Sequence, residues 1–207
     1  MRIHVKICGI TNLPDALAAV EAGADALGFM CYERSKRFVA TDLVASIARE
    51  LPPFVFRVGV FVNAPEEAVR RAVEECGINA LQFHGEETPE FCARFSLPVI
   101  KAFQLSDHKS LAPLERFQTN AWLLDAAAPG QRGGTGQSFD WSLAIEARRF
   151  GRPIILAGGL TPDNVAEAVR RVLPYGVDVS SGVELSPGRK DHTKIASFVN
   201  AARTGGR

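Results

Sequence analysis

The opening MRIHVKICGIT places a thiol, Cys8, directly before a glycine, at the end of a stretch in which Ile3, Val5 and Ile7 alternate with His4, Lys6 and Cys8. Read as a strand, the stretch has one apolar face and one ionisable face. Packing gives a core strand no reason to carry the second. Lys6 lies two residues before Cys8 on that face, about 6.6 Å along the strand. An ammonium there favours the thiolate, which makes Cys8 a nucleophile or a base. No histidine stands at a defined spacing, so the residues leave both roles open. Cys31, Cys76 and Cys92 are far apart, with no C-x-x-C pair. This argues against a disulfide framework or a zinc site and for a reduced, cytosolic setting, with these three as small buried hydrophobes.

Asp125 ends AWLLD, where its carboxyl shares the direction of Leu123. Partial desolvation there favours the protonated form, which suits a general acid; the other reading is an aspartate capping the next loop. Gly158–Gly159 in IILAGGLTPDN and Ser180–Ser181–Gly182 in VDVSSGVE each follow an apolar run. Such loops expose backbone N–H groups, and a pair of them on neighbouring strands forms a phosphate cup. The earlier loops QFHGEETPE and FVNAPEEA contain no Gly-Gly pair, so one phosphate is expected. Arg37, in YERSKRFV, is either a carboxylate clamp with two parallel hydrogen bonds or part of a solvated basic loop with Arg34 and Lys36. His84, in QFHGEE, is a pocket donor or a loop residue. The stretch GQRGGTGQSFDW reads as a cover over the site or a second backbone cradle, with Gly133–Gly134 serving either role.

Something must bring these groups together. Short runs rich in Val, Ile, Leu and Phe fall at 3–7, 26–30, 55–62, 80–83, 99–103, 121–124, 153–156 and 177–179. Amphipathic stretches lie between them. Thr11–Asn12 starts one that ends at Gly23, Asn63 caps one that stops at Gly77, and Thr161–Pro162–Asp163 opens one that stops at Pro174. Eight alternating βα units in 207 residues predict a single-domain (β/α)8 TIM barrel over residues 1–207, with an open doubly wound sheet as the alternative. In such a barrel the working residues sit at the carboxyl ends of the strands. The final TGGR reads as a loose tail.

The formal net charge is +1, with no basic stripe, which speaks against nucleic acid or an anionic membrane as a partner. No apolar run reaches the ~18 residues of a membrane span, and no signal peptide is visible at the start.

Taken in order, VKICGIT, QFHGE, LLD…GGTGQSFDW, ILAGGLTPDNV and DVSSGVE resemble the phosphoribosylanthranilate isomerases of tryptophan biosynthesis, and the matches span nearly the whole chain. The resemblance implies a (β/α)8 barrel with no metal and no organic cofactor. It further implies an Amadori rearrangement of N-(5-phosphoribosyl)anthranilate to 1-(2-carboxyphenylamino)-1-deoxyribulose 5-phosphate, a small phosphosugar substrate. It makes Cys8 the general base and Asp125 the general acid. The phosphate goes to Gly158, Gly159, Ser180, Ser181 and Gly182, Arg37 faces the anthranilate carboxylate, and His84 and Asp178 line the pocket. One departure is Ser35–Lys36–Arg37, where the family commonly reads Ser-Pro-Arg; without the proline φ is not fixed.

The related histidine-pathway isomerase handles two phosphates with paired aspartates, and a bifunctional enzyme would share those needs, so both fit less well. Indole-glycerol phosphate synthase would need a catalytic lysine and an N-terminal extension. A non-catalytic phosphate-ligand binder would need neither Cys8 nor Asp125. The oligomer is left as monomer or homodimer, with Phe54, Phe56 and Phe139 as core or interface.

Overall fold

The computed structural model describes residues 2–126 and 141–206. The apolar runs become strands β1 (His4–Cys8), β2 (Ala26–Met30), β3 (Phe56–Phe61), β4 (Ala80–Phe83), β5 (Val99–Leu105), β6 (Ala121–Ala126), β7 (Ile154–Leu156) and β8 (Gly176–Val179). All pair in parallel, in sequence order, and β8 closes onto β1. The alternative of an open sheet is thereby excluded. Around the barrel run α1 (Leu13–Glu21), α2 (Thr41–Glu50), α3 (Glu66–Cys76), the single turn α4 (Pro89–Cys92), α5 (Trp141–Ala147), α6 (Val165–Val172) and α7 (His192–Gly205). A hairpin not expected from the sequence, β9 (Glu184–Ser186) with β10 (Arg189–Lys190), follows β8.

The period-2 alternation sorts side chains into two layers. Val5, Ile7, Leu81, Phe83 and Leu124 face the helices and join the main core. Ala102, Leu123, Ile155 and Ala157 form a separate, smaller cluster inside the barrel. Lys6, Gln82 and Asp178 are buried with the parity of that inner layer. The ionisable face of β1 therefore points into the barrel.

Several local expectations hold. The Asn12 side chain accepts from Asp15 N and caps α1, and Gly77 ends α3 in the left-handed region at φ +65. Others are corrected. Asn63 does not cap α3, whose cap is Pro65; its Oδ1 instead accepts from Glu86 N at 2.7 Å. Between β5 and β6, two 3₁₀ turns (His108–Leu111 and Leu114–Arg116) stand in place of a helix. Asp107 caps the first, and Pro113 has no N–H with which to extend a helix. Nor is TGGR a loose tail as far as it is described: α7 runs to Gly205, which is buried against the Ala166 backbone. Phe54 and Phe56 are 95% and 50% exposed, so neither is core. Phe139 lies outside the described residues. Among those described, no helix is long and apolar enough to cross a membrane.

Candidate active site

The carboxyl ends of the strands surround a pocket of about 510 Å³. Each of the ten residues singled out in the sequence as binding or catalytic lines it. They arrive from strands β1, β6 and β8 and from the loops after β2, β4, β7 and β8, which the closed parallel order brings to one rim.

On β1, Cys8 and Lys6 stand one above the other against Gly28, the register partner of Cys8 on β2. A Cβ on Gly28 would lie 2.7 Å from Cys8 Sγ and 3.0 Å from Lys6 Nζ, so only glycine leaves room for both groups. Lys6 Nζ donates to Asp178 Oδ1 at 2.7 Å, and both side chains are buried. Burial works against the Lys6 ammonium, but the Asp178 carboxylate, with Cys8 beside it, more than compensates and holds its pKa above the usual lysine value. Burial pushes the Cys8 thiol up; Lys6 pulls it down, Asp178 pushes it up again, and the net is upward. Lys6 thus acts in the direction its spacing predicts, but desolvation outweighs it.

Across the pocket, Asp125 is 4% exposed at the end of β6. His84 Nε2 lies 3.5 Å from Asp125 Oδ2 and, being buried, has no hydrogen-bond partner among the described residues. Gln82 Nε2 sits 3.0 Å from His84 Nδ1. An amide N–H only donates, so Nδ1 accepts and Nε2 carries the ring proton, aimed at Asp125.

The loops after β7 and β8 are built for close approach. Gly158 and Gly159 have φ of +81 and +65, left-handed conformations that favour glycine, and both line the pocket. Asn164 braces this loop, donating to Gly159 O at 2.9 Å and accepting from Thr161 N at 2.8 Å. A Cβ on Gly182 would come within 1.9 Å of Leu160 O, so the two loops interlock through a glycine. The buried Ser180 Oγ has no partner among the described residues.

Arg37 reaches the rim with its stem across Gly9, where a Cβ would meet Arg37 Cδ at 2.6 Å. Its Nε and Nη2 donate to Glu184 Oε1 and Oε2 at 2.8 and 2.6 Å, and these bonds raise its already high pKa. Gln82, Glu184 and Lys190 were not singled out in the sequence. Gln82 had a signal, since it shares the inward parity of its strand. Glu184 and Lys190 lie in a hairpin with no periodicity to read. Gly133–Gly134 lies outside the described residues.

A family model described as N-(5'-phosphoribosyl)anthranilate (PRA) isomerase matches residues 5–201. The chain belongs to the phosphoribosylanthranilate isomerase family. Among relatives of that name, the protein of Geobacter sp. strain M21 is 55% identical over 96% of this chain and 97% of that protein. That of Pelobacter propionicus is 53% identical over 97% and 96%. The crystal structure of the phosphoribosylanthranilate isomerase of Thermotoga maritima superposes with a TM-score of 0.91 at 45% identity, covering 98% of this chain and 99% of that one. A structure of such an isomerase in complex with reduced 1-(o-carboxyphenylamino)-1-deoxyribulose 5-phosphate gives 0.88 at 44% identity, with the same coverage.

Proposed function

We infer that this protein isomerises N-(5-phosphoribosyl)anthranilate to 1-(2-carboxyphenylamino)-1-deoxyribulose 5-phosphate in tryptophan biosynthesis. The observation that carries the reading is the juxtaposition, in one pocket of a family member, of a thiol, a carboxyl, an arginine and two glycine-bearing loops. The substrate phosphate docks on Gly158, Gly159 and Ser180–Ser181–Gly182, where Ser180 Oγ is available to donate. The anthranilate carboxylate meets the outer edge of Arg37, and its ring lies against the apolar Met30 and Val60 of the pocket wall.

Asp125, as general acid, protonates the furanose ring oxygen. The C1–O bond breaks, and the anthranilate nitrogen supplies its lone pair to form an iminium. Cys8, as thiolate, removes the proton from C2, and the C–H electrons flow into the iminium to give an enolamine. Tautomerisation of the enolamine yields the ketone. The iminium is the electron sink, so the chemistry needs only one acid and one base. His84 Nε2–H stabilises the Asp125 carboxylate that is left after proton donation. Asp178 keeps Lys6 in place beside the thiol, and a free Cys8 fits a reducing cytoplasm. Every group named comes from one copy of the chain, so the site is complete in a monomer or a homodimer.

The test is the loss of phosphoribosylanthranilate fluorescence with purified protein. Turnover is expected, and it is expected to collapse in Cys8→Ala and Asp125→Asn while inorganic phosphate still binds. Full activity in both variants would refute the acid–base mechanism, and no turnover by the wild type would return the pocket to a phosphate-ligand binder.

A further inference from the structure

Arg37 is the only group in the proposed mechanism that meets the anthranilate end of the substrate with charge. Its orientation is set from the segment that follows β8, the strand on the other side of β1 from β2. Glu184, at the start of β9, takes two parallel hydrogen bonds from the inner edge of the guanidinium, through Nε and Nη2 at 2.8 and 2.6 Å. A guanidinium carries five N–H donors in one plane; engaging this edge fixes the plane and leaves Nη1 and the outer edge for a second carboxylate.

Glu184 itself cannot swing. Lys190 Nζ, fully buried, donates to Glu184 Oε1 at 2.9 Å. The same ammonium holds Cys8 O at 2.6 Å and Ser180 O at 3.1 Å. Gly188 N adds a longer bond to Glu184 Oε1 at 3.3 Å. One buried Glu–Lys pair thereby joins the end of the strand bearing the base, the loop assigned to phosphate and the arginine assigned to carboxylate. On the far side, the Gly9 backbone bears directly on the Arg37 stem.

We propose that Glu184 is a positioning residue that, locked by Lys190, presents the outer edge of Arg37 to the substrate carboxylate. This rests on the isomerase reading. Discrimination for a carboxylate-bearing aromatic then resides in residues 37, 184 and 190 together.

Glu184→Gln keeps the size of the side chain but removes its charge and one of its two acceptors. The expected result is a KM for phosphoribosylanthranilate raised about tenfold with kcat within about twofold, as for loss of a charge-assisted fork. The inhibition constant of reduced 1-(o-carboxyphenylamino)-1-deoxyribulose 5-phosphate rises by the same factor, while that of inorganic phosphate stays unchanged. In Arg37→Ala, adding Glu184→Gln has no further effect on KM. An unchanged KM overturns the proposal. So does a parallel loss of kcat, KM and phosphate affinity, which marks a merely structural role. Glu184→Asp, which keeps the charge but shortens the reach, must raise KM in the same direction even if Glu184→Gln does not fold, and an unchanged KM there is equally fatal. Inactive wild-type protein overturns the isomerase reading as well; active wild type with unaffected Glu184 variants overturns only this proposal.

Discussion

Replacing Lys6 with methionine removes the cation that works against burial at Cys8. Sγ and Nζ both lie within 3.0 Å of the point a Gly28 Cβ would occupy, so they are no more than about 6 Å apart, and at an effective dielectric constant of ~20 two charges at that separation interact by about 3 kcal/mol. That corresponds to about a hundredfold less thiolate at a fixed pH below the thiol's midpoint. Burial has already pushed the thiol up, so wild-type kcat/KM should still be climbing above about pH 8.5, where an ordinary cysteine is half ionised. Lys6→Met should move that rising limb further up and lower kcat/KM at neutral pH by about a hundredfold. The variant also strands Asp178, and breaking a buried pair costs about 3–5 kcal/mol. Lys6→Met/Asp178→Asn relieves the stranded charge. It should still titrate above wild type, because the Lys6 effect on Cys8 exceeds that of Asp178. The assays are the pH dependence of kcat/KM and alkylation of the Cys8 peptide followed by mass spectrometry. A Cys8 alkylation midpoint that stays put, or falls, in both variants refutes the electrostatic account.

Two further outcomes follow from the same geometry. Gly182→Ala drives a methyl onto the Leu160 carbonyl, 1.9 Å from the ideal Cβ; overpacking of this kind costs about 1–3 kcal/mol, and the interlocked loops must part. Phosphate inhibition should weaken and Tm should fall together, whereas unchanged phosphate affinity would count against the cup. Asp15 is desolvated, but hydrogen bonds from Lys190 N, His192 and Asn12 outweigh this and hold its pKa below the ordinary value. Its stabilisation is therefore complete above the unfolded-state pKa of about 3.9 and is lost as pH falls through the lower folded value. Calorimetry of Asp15→Asn should show a Tm deficit at neutral pH that shrinks below about pH 4; a constant deficit would contradict the sign.

The barrel was legible because eight short apolar runs alternate with amphipathic stretches, most of which carry recognisable start and stop signals. The 3₁₀ turns between β5 and β6 were not, since the segment looks helical until Pro113 and the Asp107 cap are weighed. Cys8, Asp125 and the paired glycine loops stood out because each breaks a local rule at a strand end. The resemblance then supplied their roles, which the residues alone had left open. Arg37 was visible but its partner was not, because Glu184 lies 147 positions away in sequence. The direction of Lys6's pull on Cys8 was readable from spacing, while the larger effect of burial emerged only when Gly28 and the inner layer closed around the thiol. Gln82 shows the opposite failure, a polar residue with inward parity that an apolar run concealed.

The proposed mechanism depends on Cys8 as the base that takes the C2 proton, and the most direct test is kcat/KM of Cys8→Ser against wild type at neutral pH. A serine hydroxyl is nearly isosteric but a far weaker base, so a fall of about 10²- to 10⁴-fold is expected, with phosphate inhibition unchanged. Serine retaining wild-type turnover would contradict it, leaving the thiol at the end of β1 without a part in the chemistry.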